Sequence, residues 1–275
     1  MPSTSREGAA RFSLTKRSAL RAGRSEFENA GLQWDQLEII YNDYLTQIPT
    51  LTTTASTISE ILRSNPNAHS VKSRIKDPEH LINKIIRKTI REREKQGNEE
   101  YQITLENYYS EITDLIGIKV LHLYKDQALQ IDQMIREKWH LKETATIYIR
   151  NGDFKDPNLE ASEDHIFKEH KAAYRSWHYL IKINVTKEDT IVEIQVKTIF
   201  EEGWSEVDHE LRYPSELDNE LLNNQLLVLN RLAGNADEMV NTIRDTKRNL
   251  TELNSEKEEQ QNLISELKKE IGERS

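Results

Sequence analysis

Residues 173–214 read AYRSWHYLIKINVTKEDTIVEIQVKTIFEEGWSEVDHELRYP, and this stretch decides the fold of the chain. Two apolar patterns with strand character, at 177–185 and 190–198, predict an antiparallel hairpin. A helical pattern follows at 199–211. A single carboxylate, Glu193, lies inside the second strand between two β-branched residues. Because a buried carboxylate is costly unless a cation or hydrogen bonds satisfy it, its position indicates a site rather than a core.

A second carboxylate has the same setting upstream. Asp114 precedes an apolar strand at 116–124, within the stretch EITDLIGIKVLHLY. The segments that follow are predicted as a helix at 126–139, a strand at 144–150 and a polar loop at 151–173. This order of elements predicts an α/β (α+β) fold in which a mixed β-sheet of about five strands is flanked by helices.

The part of the chain before this sheet is predicted to be helical. Residues 1–24 contain many Ser and Arg residues and one acid, which predicts a disordered basic tail, although an organelle transit peptide shares this composition. Residues 25–95 follow a helical period. Within them a helix is predicted to begin with Asp77 as its N-cap and Pro78 in its first turn. Its apolar face carries Leu81, Ile82, Ile85 and Ile86.

The chain from residue 216 to its end also has a helical period. Leu250, Leu253, Ile264, Leu267 and Ile271 occupy alternating three- and four-residue spacings, with Lys257 and Gln260 in the remaining core positions. This spacing fits a coiled coil and, equally, an amphipathic helix that packs on its own domain or frays. The predicted organisation is therefore a tail (1–24), one domain (25–215) and a C-terminal helical extension (216–275).

Composition excludes several classes of function. The 275 residues include no cysteine, which rules out disulfides, zinc–thiolate sites and thiol nucleophiles. The formal net charge of −9 argues against broad adhesion to nucleic acid or to anionic membranes. Because no apolar run is long enough to span a bilayer, we expect a cytoplasmic protein without a membrane partner.

The first candidate cluster is basic. Lys84, Arg87 and Lys88 share one helix face, and Arg74 and Lys76 alternate in the extended segment before that helix. Together they could hold a polyphosphate through charge-assisted hydrogen bonds. A solvated basic face explains the same pattern.

The second candidate is the carboxylate pair Asp114 and Glu193. Mg²⁺ commonly takes one or two protein carboxylates and leaves its other positions to water and phosphate, so the pair predicts a magnesium site. Glu193 is also placed to act as a general base on an attacking hydroxyl. The alternatives are a capping role for Asp114 and a solvent-facing strand position for Glu193.

The third candidate is the string from Tyr174 to His178. The Tyr174 ring could stack on a nucleobase, and Arg175 and His178 could bind phosphate. An ordinary loop-to-strand junction explains the string as well. The sequence contains no Gly-rich phosphate-binding loop and no His-Asp dipeptide of the metal-dependent phosphohydrolases.

Taken in order, four strings resemble the synthetase domain of the RelA/SpoT family, the bacterial alarmone synthetases. They are RIKDPEHLINKI (74–85), TDLIGIKVL (113–121), AYRSWHY (173–179) and EIQVKT with the later DHELRYP (193–214). The resemblance covers roughly residues 70–215. It implies a nucleotidyltransferase-like sheet and the transfer of pyrophosphate from ATP to the 3′-hydroxyl of GDP or GTP.

The resemblance also implies a role for each matched residue. ATP would bind Arg74, Lys76, Lys84 and Lys119. Asp114 and Glu193 would hold Mg²⁺, and Glu193 would also activate the 3′-hydroxyl. The acceptor would bind Tyr174, which would stack on guanine, together with Arg175, His178, Gln195 and Lys197. The sequence departs from the family pattern at three positions. Lys119 and Lys197 stand where the family usually has Arg, and Ala173 stands where it usually has Gly.

Without the His-Asp signature, the chain resembles the small, synthetase-only class. That resemblance implies a homo-oligomer, in which the C-terminal helix could supply an interface. One alternative is a toxin-type relative that pyrophosphorylates the 3′ end of tRNA or makes adenosine alarmones. The basic tail favours tRNA, whereas the net charge of −9 opposes it. A non-catalytic nucleotide sensor is the other alternative, and the presence of Asp114 and Glu193 counts against it.

Overall fold

The computed structural model describes residue 27 and residues 32–153, 155–184, 189–212 and 219–273. The tail predicted at 1–24 lies outside these residues. The elements in chain order are α1 (Trp34–Arg63), β1 (Ser70–Ile75), α2 (Pro78–Gln96), α3 (Tyr108–Glu111), β2 (Ile116–His122), α4 (Gln127–Lys138), β3 (His140–Leu141), β4 (Ala145–Ile149), α5 (Pro157–Glu160), β5 (His165–Glu169), β6 (Ser176–Ile183), β7 (Thr190–Thr198), α6 (Ile199–Arg212) and α7 (Glu220–Glu273). No helix in the described ranges is long and apolar enough to cross a membrane.

The strands form one mixed sheet in the order β1-β2-β7-β6-β4-β5, and β3 pairs with β6. Neighbours run antiparallel except for the pairs β2–β7 and β4–β5, which are parallel. The mixed sheet and the β6–β7 hairpin pairing confirm the predicted fold class.

The described residues form seven strands, two more than the predicted number of about five. The loop predicted at 151–173 contains β5, a five-residue edge strand, and the short helix α5. The extended segment predicted before the helix at Pro78 contains strand β1. Both strands lie at sheet edges, and most of their side chains are exposed or half-buried, so they lack a clear apolar signal.

The predicted start of helix α2 is confirmed. The Asp77 carboxylate accepts hydrogen bonds from the backbone N–H groups of Glu79 (2.8 Å) and His80 (3.1 Å). These bonds satisfy donors that have no partner inside the helix. The apolar face of α2 is buried through Leu81, Ile82, Ile85 and Ile86. This face fixes α2, so its opposite, basic side is directed away from the core.

Strand β7 separates the core from the site. Val192, Ile194 and Val196 are buried in the core, as the alternation of the strand predicts. Glu193, Gln195 and Lys197 belong to the opposite face. That polar face is the floor of the candidate site described below.

Helix α7 packs on the domain only through its first half. There the Trp204 indole N–H donates to the Leu226 carbonyl at 2.9 Å. Residues 246–269 are all exposed, and they span about 36 Å at 1.5 Å per residue. The expected apolar stripe, with Leu250 and Leu253, therefore does not pack on this domain within the described residues. The coiled coil and the homo-oligomer stay predictions.

Candidate active site

Three neighbouring strands bring the sequence motifs to one face of the sheet. Arg74 on β1 lies opposite Gly117 on β2, and Gly117 lies opposite Glu193 on β7. A Cβ at position 117 would lie 3.3 Å from Arg74 Nε, so glycine leaves room for the Arg74 side chain over β2. Asp114 precedes β2, and Tyr174 precedes β6 on the other side of β7. The parallel pairing of β2 with β7 thus places both carboxylates at corresponding ends of adjacent strands.

Asp114 is held by two lysines. Its Oδ2 atom lies 2.7 Å from Lys76 Nζ and 2.8 Å from Lys84 Nζ. Burial raises the pKa of Asp114, but the two ammonium groups lower it by more than burial raises it. The net pKa of Asp114 is therefore below the ordinary value. Asp114 therefore carries its negative charge at neutral pH. Lys76 and Lys84, predicted to bind ATP, lie at this carboxylate.

The surroundings of the second carboxylate oxygen of Asp114, Oδ1, indicate whether the site fits Mg²⁺. Asp114 Oδ1 is buried and has no hydrogen-bond partner in the described part of the chain. Such an atom is an available ligand for a hard cation. The described residues contain no group of three or more His, Cys, Asp or Glu side chains that could hold a metal alone. The site therefore fits a cation held by one or two carboxylates and by phosphate oxygens.

A cavity of about 630 Å³ opens beside Asp114 and is lined mainly by cations. Its lining includes Arg74, Lys76, Lys84, Arg87, Lys88 and Arg91. Lys88 also has a partner outside the cavity, because its ammonium group donates a hydrogen bond to the Glu111 carbonyl at 2.6 Å. The cavity has the charge that a polyphosphate requires. The predicted basic cluster is therefore assembled in one place.

Glu193 and three other side chains form a closed ring. Gln195 Nε2 donates to Glu193 Oε2 at 3.0 Å, and His178 Nδ1 lies 3.7 Å from Glu193 Oε1. The Tyr174 hydroxyl lies 2.9 Å from His178 Nε2 and donates to Gln195 Oε1 at 3.3 Å. Burial raises the pKa of Glu193, but His178 lowers it by more than burial raises it. The net pKa of Glu193 is therefore below the ordinary value. The ring orients an ionised carboxylate.

A second cavity, of about 460 Å³, adjoins the first and shares Arg74 with it. Of the residues that the resemblance assigns to the acceptor, Tyr174, Gln195 and Lys197 line this cavity. His178 and the carboxylate of Glu193 line neither cavity. Lys119 lines it as well, although the resemblance assigns Lys119 to the ATP set. Lys119 belongs to the same polar row as Gln195 because the two residues are opposite each other on β2 and β7.

Glu202 on α6 is a residue that sequence reasoning missed. It is buried, and its carboxylate lies 3.0 Å from Lys119 Nζ and 3.2 Å from Lys197 Nζ. The two lysines are therefore already neutralised in part. The spacing of Glu202 from the β7 motif gave no signal, because the contact depends on how α6 folds back over the strand.

Arg175, which the resemblance assigns to the acceptor set, contacts helix α7. Its buried side chain lines neither of the two cavities, and its Nη2 atom donates to the Asn230 carbonyl of α7 at 3.3 Å. Its Nε atom lies 3.8 Å from the carboxylates of Asp153 and Glu201. Successive side chains of extended backbone alternate in direction, so Arg175 points away from the site that Tyr174 faces.

Asp237 on α7 lies near the side chains of Arg175 and Glu201. Burial and the charge of Glu201 raise the pKa of Asp237 to about 7, and the Thr198 hydroxyl opposes this only in part. An Asp in the unfolded chain titrates near 3.8. The folded state therefore binds more protons between these values, and the free energy of unfolding falls as pH rises from about 4 to about 7.

We therefore expect Asp237→Asn to stabilise the protein above pH 7, by up to about 4 kcal/mol, with little effect near pH 4. Asparagine keeps the shape of the side chain and removes the charge. Thermal unfolding between pH 4 and pH 9 measures the difference, with Asp245→Asn on the more exposed part of α7 as the matched control. A melting temperature at pH 8 that does not rise contradicts the prediction.

Comparison with known proteins places the chain in a family. The family model described as the region found in RelA / SpoT proteins matches residues 73–218, which is more than half of the chain. The chain belongs to this family. The resemblance seen in the four sequence strings is thereby confirmed.

Individual relatives are more distant. The chain is 24% identical over 167 residues to the GTP pyrophosphokinase YwaC of Bacillus subtilis (strain 168), a match that covers 57% of this chain and 66% of that protein. A GTP pyrophosphokinase family protein from Streptococcus pneumoniae has a similar structure, with a TM-score of 0.52 and 17% identity over 79% of this chain and 96% of the other. The small alarmone synthetase 1 from Bacillus subtilis bound to its product pppGpp gives a TM-score of 0.46 at 19% identity, over 78% and 98%. The Streptococcus likeness supports the fold.

Proposed function

We propose that this protein transfers pyrophosphate from ATP to the 3′-hydroxyl of GDP or GTP. One observation carries the proposal: a cation-lined cavity and an aromatic-bearing cavity meet at Arg74 and His209. Asp114 lines the first cavity, and Glu193 lies opposite Gly117, which lines the second. Such a pair of adjoining pockets suits a polyphosphate donor and a nucleotide acceptor. Membership of the RelA/SpoT family and the similarity to YwaC, a GTP pyrophosphokinase, support the same reaction.

On the donor side, Arg74, Lys76 and Lys84 bind the ATP phosphates and neutralise their charge. Asp114 and Glu193 hold Mg²⁺, which when bound offsets negative charge on the phosphates. The acceptor's 3′-oxygen forms a bond to the β-phosphorus of ATP. The bond from that phosphorus to the oxygen that bridges it to the α-phosphate breaks, and AMP leaves.

On the acceptor side, Glu193 takes the proton of the 3′-hydroxyl. His178 and Gln195 keep its carboxylate oriented, and the Tyr174 ring stacks on the guanine. Lys197 supplies positive charge for the acceptor phosphates. Its ammonium group lies 4.9 Å from the centre of the Tyr174 ring, so phosphate and base contacts are adjacent.

We expect Tyr174→Ala to raise the KM for the acceptor by about tenfold or more and to change the KM for ATP far less. The reason is the loss of one base–aromatic stack, worth about 1–3 kcal/mol. Tyr174→Phe is the matched control, because it keeps the ring and removes only the hydroxyl that contacts His178. Equal losses for both substrates would show that Tyr174 is structural.

The reaction itself is tested with γ-labelled ATP, magnesium and the purified protein. Separate incubations contain GDP, GTP, GMP, adenosine nucleotides or deacylated tRNA, and chromatography resolves the products. Label on a guanosine nucleotide supports the proposal and ranks the acceptors. Label only on tRNA or on an adenosine nucleotide assigns the protein to the toxin-type branch. Bound nucleotide without transfer favours a sensor.

A further inference from the structure

We infer that Asn230 and Gly234, on helix α7, are positioning residues for the acceptor site: they fix the backbone on both sides of Tyr174. The inference rests on the proposed function, because it takes Tyr174 as the residue that receives the acceptor base. Neither residue lines the cavity that contains Tyr174. They act through Ala173 and Arg175.

The backbone before Tyr174 has a disfavoured conformation. Ala173 has φ +58°, in the left-handed region, and it is the only residue other than glycine with positive φ in the described ranges. This region is unfavourable for a residue with a Cβ and persists only where the surroundings hold it. Asn230 Nδ2 donates to the Ala173 carbonyl at 2.9 Å, and Asn230 is 2% exposed. Because water does not compete there, this bond supports the strained residue directly.

The residue after Tyr174 is held by the same helix. The Arg175 guanidinium donates to the Asn230 backbone carbonyl and lies against Gly234. A Cβ at position 234 would lie 2.5 Å from Arg175 Nη2 and 2.9 Å from Nη1. The missing side chain of Gly234 therefore forms the notch that receives the guanidinium.

These contacts fix the direction of the Tyr174 ring. Tyr174 lies between two residues that α7 holds, so its side chain is directed at Gln195 and His178 on the opposite side of the backbone. If α7 packed on the domain for stability alone, it would not need to bind Ala173, the residue with left-handed backbone that precedes Tyr174. The arrangement predicts that α7 controls acceptor binding.

Two variants with matched controls test the inference. Asn230→Ala removes the bond to Ala173, and Asn224→Ala changes an exposed asparagine of the same helix. Gly234→Ala fills the notch, and Gly203→Ala adds a methyl group where no atom lies within 4 Å. We expect about a tenfold rise in acceptor KM for Asn230→Ala, from loss of one buried hydrogen bond, and a rise for Gly234→Ala. ATP KM and both controls should change less than about twofold.

Rescue separates positioning from general packing. Glycine adopts positive φ without penalty, so residue 173 no longer needs support when it is glycine. The double variant Ala173→Gly, Asn230→Ala should therefore have an acceptor KM within about twofold of that of the single variant Ala173→Gly. If Asn230→Ala instead raises both KM values equally, lowers the melting temperature and is not rescued, then Asn230 only docks the helix and the inference is overturned.

A measurement without substrate keeps this inference distinct from the proposed function. The Ala173 N–H donates to the His170 carbonyl at 2.8 Å, so its hydrogen exchange reports on the loop. Exchange should become faster in Asn230→Ala and stay unchanged in Asn224→Ala. Unchanged exchange in Asn230→Ala overturns the positioning role. Absence of transfer by the unmodified protein overturns the proposed function, and the exchange rates still decide the role of Asn230.

Discussion

Glu193→Gln will lower pyrophosphate transfer by about a thousandfold, while ATP still binds. Glutamine has the same shape and keeps the contact with Gln195 available, but it can neither take a proton nor neutralise a cation. A positioned base contributes about 10²- to 10⁴-fold to such a reaction. The lowered pKa of Glu193, set by His178 against the effect of burial, keeps the group ionised at neutral pH, which is the state that a base requires.

Transfer from labelled ATP and calorimetric ATP binding are measured on the same preparation. Glu169→Gln is a suitable control, since it makes the same change on an exposed residue of strand β5. Turnover that survives in Glu193→Gln would remove this residue from the role of base. Loss of ATP binding together with transfer would show instead that Glu193 organises the donor site.

Asp114→Asn will lower transfer by at least about a hundredfold and will raise the magnesium concentration needed for half-maximal activity. The substitution removes one charged ligand of the proposed cation site and leaves the ammonium groups of Lys76 and Lys84 without their partner. Breaking a buried ion pair costs about 3–5 kcal/mol, so the melting temperature should fall as well.

The fall in stability has to be separated from the effect on the site. Asp132→Asn breaks a comparable buried group, in which the carboxylate meets Arg136 (2.9 Å), His165 (3.1 Å) and Tyr179 (2.9 Å) away from both cavities. This control should lose stability and retain transfer with an unchanged magnesium requirement. Equal effects of the two substitutions on activity would mean that Asp114 is only a structural charge.

Much of the site could be predicted because local pattern and strand geometry agree. The alternation of β7 assigns Glu193 and Gln195 to one face, and the structure keeps them there. Asp77 could be assigned as a helix cap because capping depends on neighbouring residues alone. The proximity of Asp114 and Glu193 could be predicted because each carboxylate accompanies an apolar strand, and those strands are neighbours in the sheet.

Other features depend on long-range packing, which a sequence pattern does not carry. Arg175 resembled a site residue because it is next to Tyr174, but α7, more than fifty residues later, supplies its partner. Glu202 could not be assigned to Lys119 without knowing how α6 crosses the sheet. β5 was missed because an edge strand of five residues with one buried side chain resembles a polar loop.

The pairing register of β7 has a consequence for changes in chain length. Glu193 is fixed between Leu180 on one neighbour and Gly117 on the other. Inserting or deleting one residue at the start of β7 would turn every following side chain to the other face, and would put valine and isoleucine in the site and the carboxylate in the core. Two residues would restore the face but shift the carboxylate by about 6.6 Å along the strand. The length of this strand is therefore as strictly determined as its chemistry, whereas surface loops between other strands tolerate insertions.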